Sequence, residues 1–205
     1  MKIYGDSQSG NCYKVKLVCH LLELEYEWVD VDILSGETRT EQFLSCNPNG
    51  KIPLLDLGDE GYLAESNAII NYLASGSSLY PSDALSQARI QQWQFFEQYS
   101  HEPYIAVARF INKYLGLPSE RAEEYAAKQA GGHKALKVME GQLQRSDYLT
   151  GNKMMTADIS LYAYTHVADE GGISVADYPA IQSWLQRIKQ RPDYVSMADL
   201  AAKYQ

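Results

Sequence analysis

The sequence predicts two domains of different class: a small mixed α/β domain of order βαβαββα, then an all-helical one. Three observations carry this. The first 33 residues alternate strand, helix and strand signatures. A linker composition, Ser75-Gly76-Ser77-Ser78, then divides the chain. Beyond it the apolar residues recur only at helical spacing. The expected division is residues 1–75, a linker over 76–83, and a helical domain over 84–205.

Each element has its own signal. Residues 1–5 read as a strand with Ile3 and Tyr4 on opposite faces. Residues 11–25 carry Val15, Val18, Cys19 and Leu22 at helical spacing. Residues 28–33 alternate, Val29, Val31 and Ile33 against Trp28, Asp30 and Asp32, as a half-buried strand does. A strand, helix and strand in that order make a βαβ unit with parallel strands. A short helix is expected from about Thr38 to Cys46. Residues 52–57 and 61–63 flank Gly58-Asp59-Glu60 as an antiparallel hairpin. Residues 66–74 form a helix with Ile69, Tyr72 and Leu73 inward. Further helices are expected near 84–114, 119–145, 156–169, 178–190 and 193–203, with Pro103 bending the first.

Composition narrows the function classes. The chain has 205 residues, 45% of them hydrophobic, enough for a substantial core. A net charge of −8 argues against nucleic acid or an anionic membrane as partner. Neither an export leader nor a membrane-spanning run is evident, so a cytoplasmic protein is expected. The three cysteines do not form a disulfide framework. Cys12 and Cys19 lie seven apart on one helix, about 10 Å at ~1.5 Å per residue, beyond disulfide reach. The four histidines, His20, His101, His133 and His166, show no metal-ligand spacing, and no metal is expected. Neither GxxxxGK nor GxGxxG occurs.

One stretch stands out, Asn47-Pro48-Asn49-Gly50-Lys51-Ile52-Pro53. It feeds a proline into the first residue of a strand, where it marks an edge or a special bend. An X-Pro bond is the common place for a cis peptide, which would turn the Ile52 backbone outward as a docking edge for a peptide-like ligand. An ordinary loop-to-strand turn is the plain alternative. Downstream, Ser66 sits where a helix N-cap belongs, and a helix N-terminus with free N–H groups receives anions.

These residues, with Glu65-Ser66-Asn67-Ala68-Ile69, Thr156-Ala157-Asp158-Ile159 and Tyr178-Pro179-Ala180-Ile181, resemble the cytosolic glutathione transferase family along the whole chain, in a bacterial serine-type form. The resemblance implies a thioredoxin-like first domain that binds glutathione, a homodimer, and transfer of the glutathione thiolate to a small apolar electrophile in detoxification. It implies that Ile52–Pro53 is cis and pairs with the cysteinyl part of glutathione, as in strand addition. Ser66 and Glu65 would hold the glutamyl α-carboxylate and α-amino group. Arg39 or Lys51 would supply a cation for the glycyl carboxylate. Ser9 falls at the activating hydroxyl of serine-type members and Asn11 at an assisting amide; Tyr4 is a runner-up.

Cys12, three residues after Ser9, is out of register with the cysteine of the reducing branches and is expected to pack as a small apolar residue. Met155 replaces the Ser or Thr that usually caps the helix bearing Asp158. The electrophile pocket is expected between the domains, around Tyr99, His101, Tyr104 and Ala108, with Phe110 beside them. Two other functions share this scaffold: a glutathione-dependent disulfide or peroxide reductase, and a non-catalytic binding protein.

Overall fold

The computed structural model describes residues 1–203 of the chain, which form two compact units, residues 1–77 with 193 onward and residues 78–192. Among the described residues there is one four-stranded sheet, ordered β2-β1-β3-β4. Strand β1 (Lys2–Gly5) pairs in parallel with β2 (Glu27–Asp30) and antiparallel with β3 (Leu54–Asp56), which pairs antiparallel with β4 (Tyr62–Ala64). Helices α1 (Gly10–Leu21), α2 (Glu41–Cys46) and α3 (Ser66–Leu73) complete the expected thioredoxin-like order.

Strand alternation assigns the two faces. Tyr4 pairs with Leu54, and both pack with Val31 and with Phe43 of α2. Ile3 pairs with Leu55 on the other face, and both are fully buried. Gly5 shares that face: a Cβ there would lie 2.6 Å from Cys12 Sγ of α1. Glycine at this position therefore lets α1 lie close on the sheet. Helix α3 buries Ile69 and Ile70, and Ala74 just past its end is buried too, while Tyr72, expected inward, is exposed.

Two elements end earlier than their apolar pattern suggests, β2 because side chains compete for its backbone and α1 because the chain turns back on its own last carbonyls. Strand β2 stops at Asp30 because Asp32 Oδ1 accepts the Leu34 and Ser35 N–H groups, and Glu37 Oε2 accepts the Asp32 N–H. Helix α1 stops at Leu21; Glu23 turns to φ 53° and the Leu24 N–H closes on Cys19 O.

The second unit is helical throughout its regular elements: α4 (Ala84–Phe96), α5 (Glu102–Arg109), α6 (Ala122–Leu143), α7 (Thr156–Thr165) and α8 (Pro179–Lys189). The single bend expected at Pro103 takes another form. Residues Glu97–His101 make a π-helical turn, and Pro103 lies in the first turn of α5. Proline has no N–H to return to a helical carbonyl, and a wider turn just before it accommodates that loss. A second π-helical turn, Phe110–Tyr114, follows. The expected helix over 156–169 stops at Thr165, and Ala168–Gly171 is a 3₁₀ turn.

Asp158 caps α7 without the missing hydroxyl. Its carboxylate accepts the Leu149 and Met155 N–H groups at 2.9 Å each and Trp184 Nε1–H at 3.0 Å. Burial pushes its carboxyl up to about 6.

The end of the chain corrects the expected division. Helix α9 (Met197–Lys203), expected in the helical domain, belongs to the first unit. Tyr13 donates its hydroxyl to Val195 O at 2.8 Å. Lys16 reaches Leu200 O at 3.5 Å and lies 3.5 Å above the Trp28 ring; burial pulls its pKa down to about 8. Among the described residues no helix is long and apolar enough to cross a membrane.

Candidate functional site

The candidate site is built from two helix N-termini and one loop of the first unit. The loop before α1 is tied by Gln8 N–H to Asp6 Oδ1 at 2.7 Å and Ser9 N–H to Asp6 O at 3.1 Å. Ser9 is the N-cap of α1, with extended backbone, and its Oγ accepts the Cys12 N–H at 3.4 Å. That distance is long for an N–H···O bond. A hydroxyl keeps its own hydrogen while accepting, so capping leaves Ser9 able to donate to a ligand atom.

Helix α3 supplies the second N-terminus, one residue earlier than expected. Glu65, not Ser66, occupies the N-cap position, with its carbonyl accepting the Ile69 N–H at 2.9 Å. Glu65 has φ 70°, ψ 111°, a region non-glycine residues enter at a cost of about 1–3 kcal/mol and mostly at functional sites. Ser66 is thus the first helical residue, and the N–H groups of this first turn have no carbonyl within the helix to bond. Glu65 is exposed and Ser66 buried.

The two N-termini meet through side chains. Ser66 Oγ donates to Asn11 Oδ1 at 3.2 Å, across 55 positions of sequence. Lys14 joins them, its Nζ 2.7 Å from Asn11 Oδ1 and 3.3 Å from Ser66 Oγ. Sequence reasoning missed Lys14. The signal was there: a lysine three residues after Asn11, in helical phase with Val18 and hence on the inward face of α1.

The loop over 47–53 is held by the buried Asn47. Its Nδ2 donates to Lys51 O at 2.7 Å, its Oδ1 accepts the Asn49 N–H at 3.2 Å, and its carbonyl accepts the Gly50 N–H at 2.9 Å. Gly50 is at φ +60°, and a Cβ there would sit 2.9 Å from Thr38 O and 2.7 Å from Arg39 Nη1. The guanidinium of Arg39 therefore lies against this loop. Arg39 and Lys51 are both exposed. Ile52–Pro53 is cis, and the ladder of β3 begins only at Leu54, so Ile52 stays outside it. Pro53 is buried and Ile52 half-buried.

Cys12 is fully buried, and burial pushes its thiol up to about 12 against the lowering effect of Ser9. It is an interior residue, not a nucleophile. Tyr4 packs with Val31, Phe43 and Leu54.

The proposed electrophile residues do not form one surface. Tyr99 is 81% exposed on the π-helical turn. Tyr104 is half-buried, its ring filling the space beside Gly131. His101 and Ala108 are fully buried and present no surface to a ligand, which corrects the expectation for both. The physical reason is local: the helix face bearing His101 turns inward, where its Nε2 lies 2.9 Å from Thr165 Oγ1 of α7. Among the described residues no cluster of His, Cys, Asp or Glu could hold a metal ion.

Comparisons with known proteins agree with this architecture. Residues 8–75 match the family model for the glutathione S-transferase N-terminal domain, and residues 93–192 that for the C-terminal domain. The chain is 34% identical over 206 residues to glutathione S-transferase 3 of Zea mays, covering 95% of this chain and 91% of that protein. It is 29% identical to the disulfide-bond oxidoreductase YfcG of Escherichia coli, covering 89% and 87% respectively. Among solved structures, a glutathione S-transferase from Pseudomonas fluorescens Pf-5 superposes with a TM-score of 0.94 at 60% identity, covering 97% of this chain and 98% of that one.

Proposed function

Since the chain belongs to the glutathione S-transferase family, we propose that it binds glutathione in its first unit and transfers the thiolate to a small apolar electrophile. The observation that carries this reading is the meeting of two helix N-termini, Asn11 of α1 bonded to Ser66 of α3. One N-terminus suits the sulfur and the other a carboxylate, because both are positive ends of helix dipoles. A ligand that carries both a thiolate and a carboxylate, as glutathione does, fits two such ends.

In this reading the Ser66 end of α3 receives the glutamyl α-carboxylate, and Glu65 pairs with the α-amino group. The Ile52 backbone engages the cysteinyl part, beside Pro53. Arg39, with its guanidinium already against Gly50, and Lys51 take the glycyl carboxylate. Ser9 donates its hydroxyl hydrogen to the sulfur, and the Asn11 amide assists. A donor aimed at sulfur favours the anion, and the anion is the nucleophile. The thiol proton leaves to solvent, sulfur forms a bond to the electrophilic carbon, and the leaving group departs with its bonding electrons. The protein works as a homodimer in the cytoplasm, as its family resemblance implies.

The test is purified protein with glutathione and a chloronitroaromatic electrophile. Thioether formation above the uncatalysed rate is expected. No thioether, together with an unchanged glutathione thiol pKa, would remove the transferase reading.

A second reading, reduction of disulfides by the same glutathione thiolate, is favoured by the similarity to YfcG. The burial of Cys12 argues that such chemistry runs through glutathione itself. Turnover of a hydroxyalkyl disulfide that survives Cys12→Ser would support it, and no turnover would exclude it.

A further inference from the structure

We propose that Lys14 is a positioning residue of this site, holding Asn11 and Ser66 in the orientations the ligand's thiol and carboxylate require. The inference deepens the glutathione reading and rests on it. Lysine is almost never fully buried unless its ammonium is bonded, and Lys14 is 0% exposed. Its bonds bring it to two residues of the candidate site. Nζ lies 2.7 Å from Asn11 Oδ1 and 3.3 Å from Ser66 Oγ, while Ser66 Oγ lies 3.2 Å from Asn11 Oδ1. These three atoms form a closed triangle spanning α1 and α3.

The donor inventory gives the triangle a direction. A lysine ammonium only donates, so the amide atom facing it is the Asn11 oxygen. The amide nitrogen of Asn11 therefore points away from Lys14, with its hydrogens presented on the opposite side. Turning the amide over would set N–H against N–H. Asn11 is thereby kept as a donor toward the sulfur instead of an acceptor.

Ser66 has one hydroxyl hydrogen, which it gives to Asn11 Oδ1. When a carboxylate arrives at α3, the hydroxyl can swing that hydrogen to the ligand. Lys14 still occupies Asn11 Oδ1, so the amide does not turn. The same ammonium, next to the first residue of α3, adds positive charge to a helix end that already favours an anion.

The test compares the full-length protein with Lys14→Met, which keeps the length of the side chain and removes the donors, and Lys14→Arg, which restores them. Glutathione affinity is measured by calorimetry, the pKa of the bound thiol by ultraviolet thiolate absorption, and kcat and KM by thioether formation. Lys14→Met is expected to weaken glutathione and its S-methyl analogue by about tenfold, the size of a lost hydrogen bond to a charged group. It is also expected to raise the bound thiol pKa and lower kcat at neutral pH, with Lys14→Arg recovering part of each.

A folded Lys14→Met with wild-type affinity and thiol pKa overturns the proposal. A merely structural lysine would change the melting temperature and leave the thiol pKa alone. Should Lys14→Met not fold, NMR of the wild-type Lys14 side chain decides. Its signal is expected to move when glutathione is added, and an unmoved signal overturns the proposal. A wild-type protein that binds no glutathione removes the parent reading instead, so the two failures are told apart.

Discussion

Replacing Ser9 with alanine separates two jobs that the structure gives one hydroxyl. As N-cap, Ser9 accepts the Cys12 N–H at 3.4 Å. Loss of an N-cap costs about 0.5–2 kcal/mol, and so long a bond puts Ser9→Ala at the low end. At about 2–4 °C per kcal/mol for a chain of this size, the melting temperature should fall by only a degree or two. As donor to sulfur, the same hydroxyl makes a bond to an anion, worth about 1.5–3 kcal/mol, or about one to two pH units in the thiol pKa. Below that pKa the thiolate fraction then drops by about 10- to 100-fold, and the rate with it. The assay is kcat/KM from pH 6 to 9 beside a thermal melt. The deficit should be largest at low pH and close as pH rises past the ordinary thiol pKa of about 8.5. A deficit constant across pH, or none, refutes the sulfur role.

Gly50→Ala should raise the KM for glutathione and destabilise by about 1–3 kcal/mol, since its Cβ would sit 2.9 Å from Thr38 O at a φ of +60°; calorimetry and denaturant melts check both, and an unchanged KM would uncouple this loop from ligand binding. Asp158→Asn places an amide nitrogen against one of three N–H donors, and should cost about 1–3 kcal/mol in a melt. His166 and Asp158 should oppose each other in acid. Burial lowers His166 from 6.5 to about 4, so its contribution is full above 6.5 and is lost as pH falls through 4. Burial raises Asp158 from 3.8 to about 6, so stability is instead gained as pH falls from 6 toward 3.8. His166→Gln should therefore lose about 3 kcal/mol less than wild type between pH 7 and 4; denaturant melts at pH 7, 5 and 4 test this, and parallel curves would contradict it.

What the sequence reveals of this protein depends on how far apart the cooperating residues lie. Strands, helices and the turn into Pro53 are encoded within a few residues of themselves and stand close to where the pattern puts them, while the cis form of Ile52–Pro53 follows from the family resemblance. Boundaries shift where one acidic side chain outbids the ladder, as Asp32 does by taking the Leu34 and Ser35 N–H groups. Local polar residues of this kind are visible in sequence, but which backbone group each one takes is not. The same limit displaced the N-cap of α3 from Ser66 to Glu65, because an N-cap depends on backbone angles as well as on side-chain type.

Residues whose role is set by distant partners are harder to read. His101 and Ala108 carry the residue types of a ligand pocket, yet the π-helical turn before α5 accompanies a helix face turned inward, and Thr165, 64 positions away, takes the imidazole. Lys14 shows the reverse. Its type suggests a solvated surface charge, yet it is buried because Ser66, 52 positions away, meets it across α1 and α3. In both cases helical phase was the better guide than chemical type: position 101 lies one turn from the buried Glu97, and position 14 lies one turn from the buried Val18. A polar residue at a buried phase must be bonded to survive there. At such positions the useful question is which residue of another element bonds it, and for Lys14 the answer is the site itself.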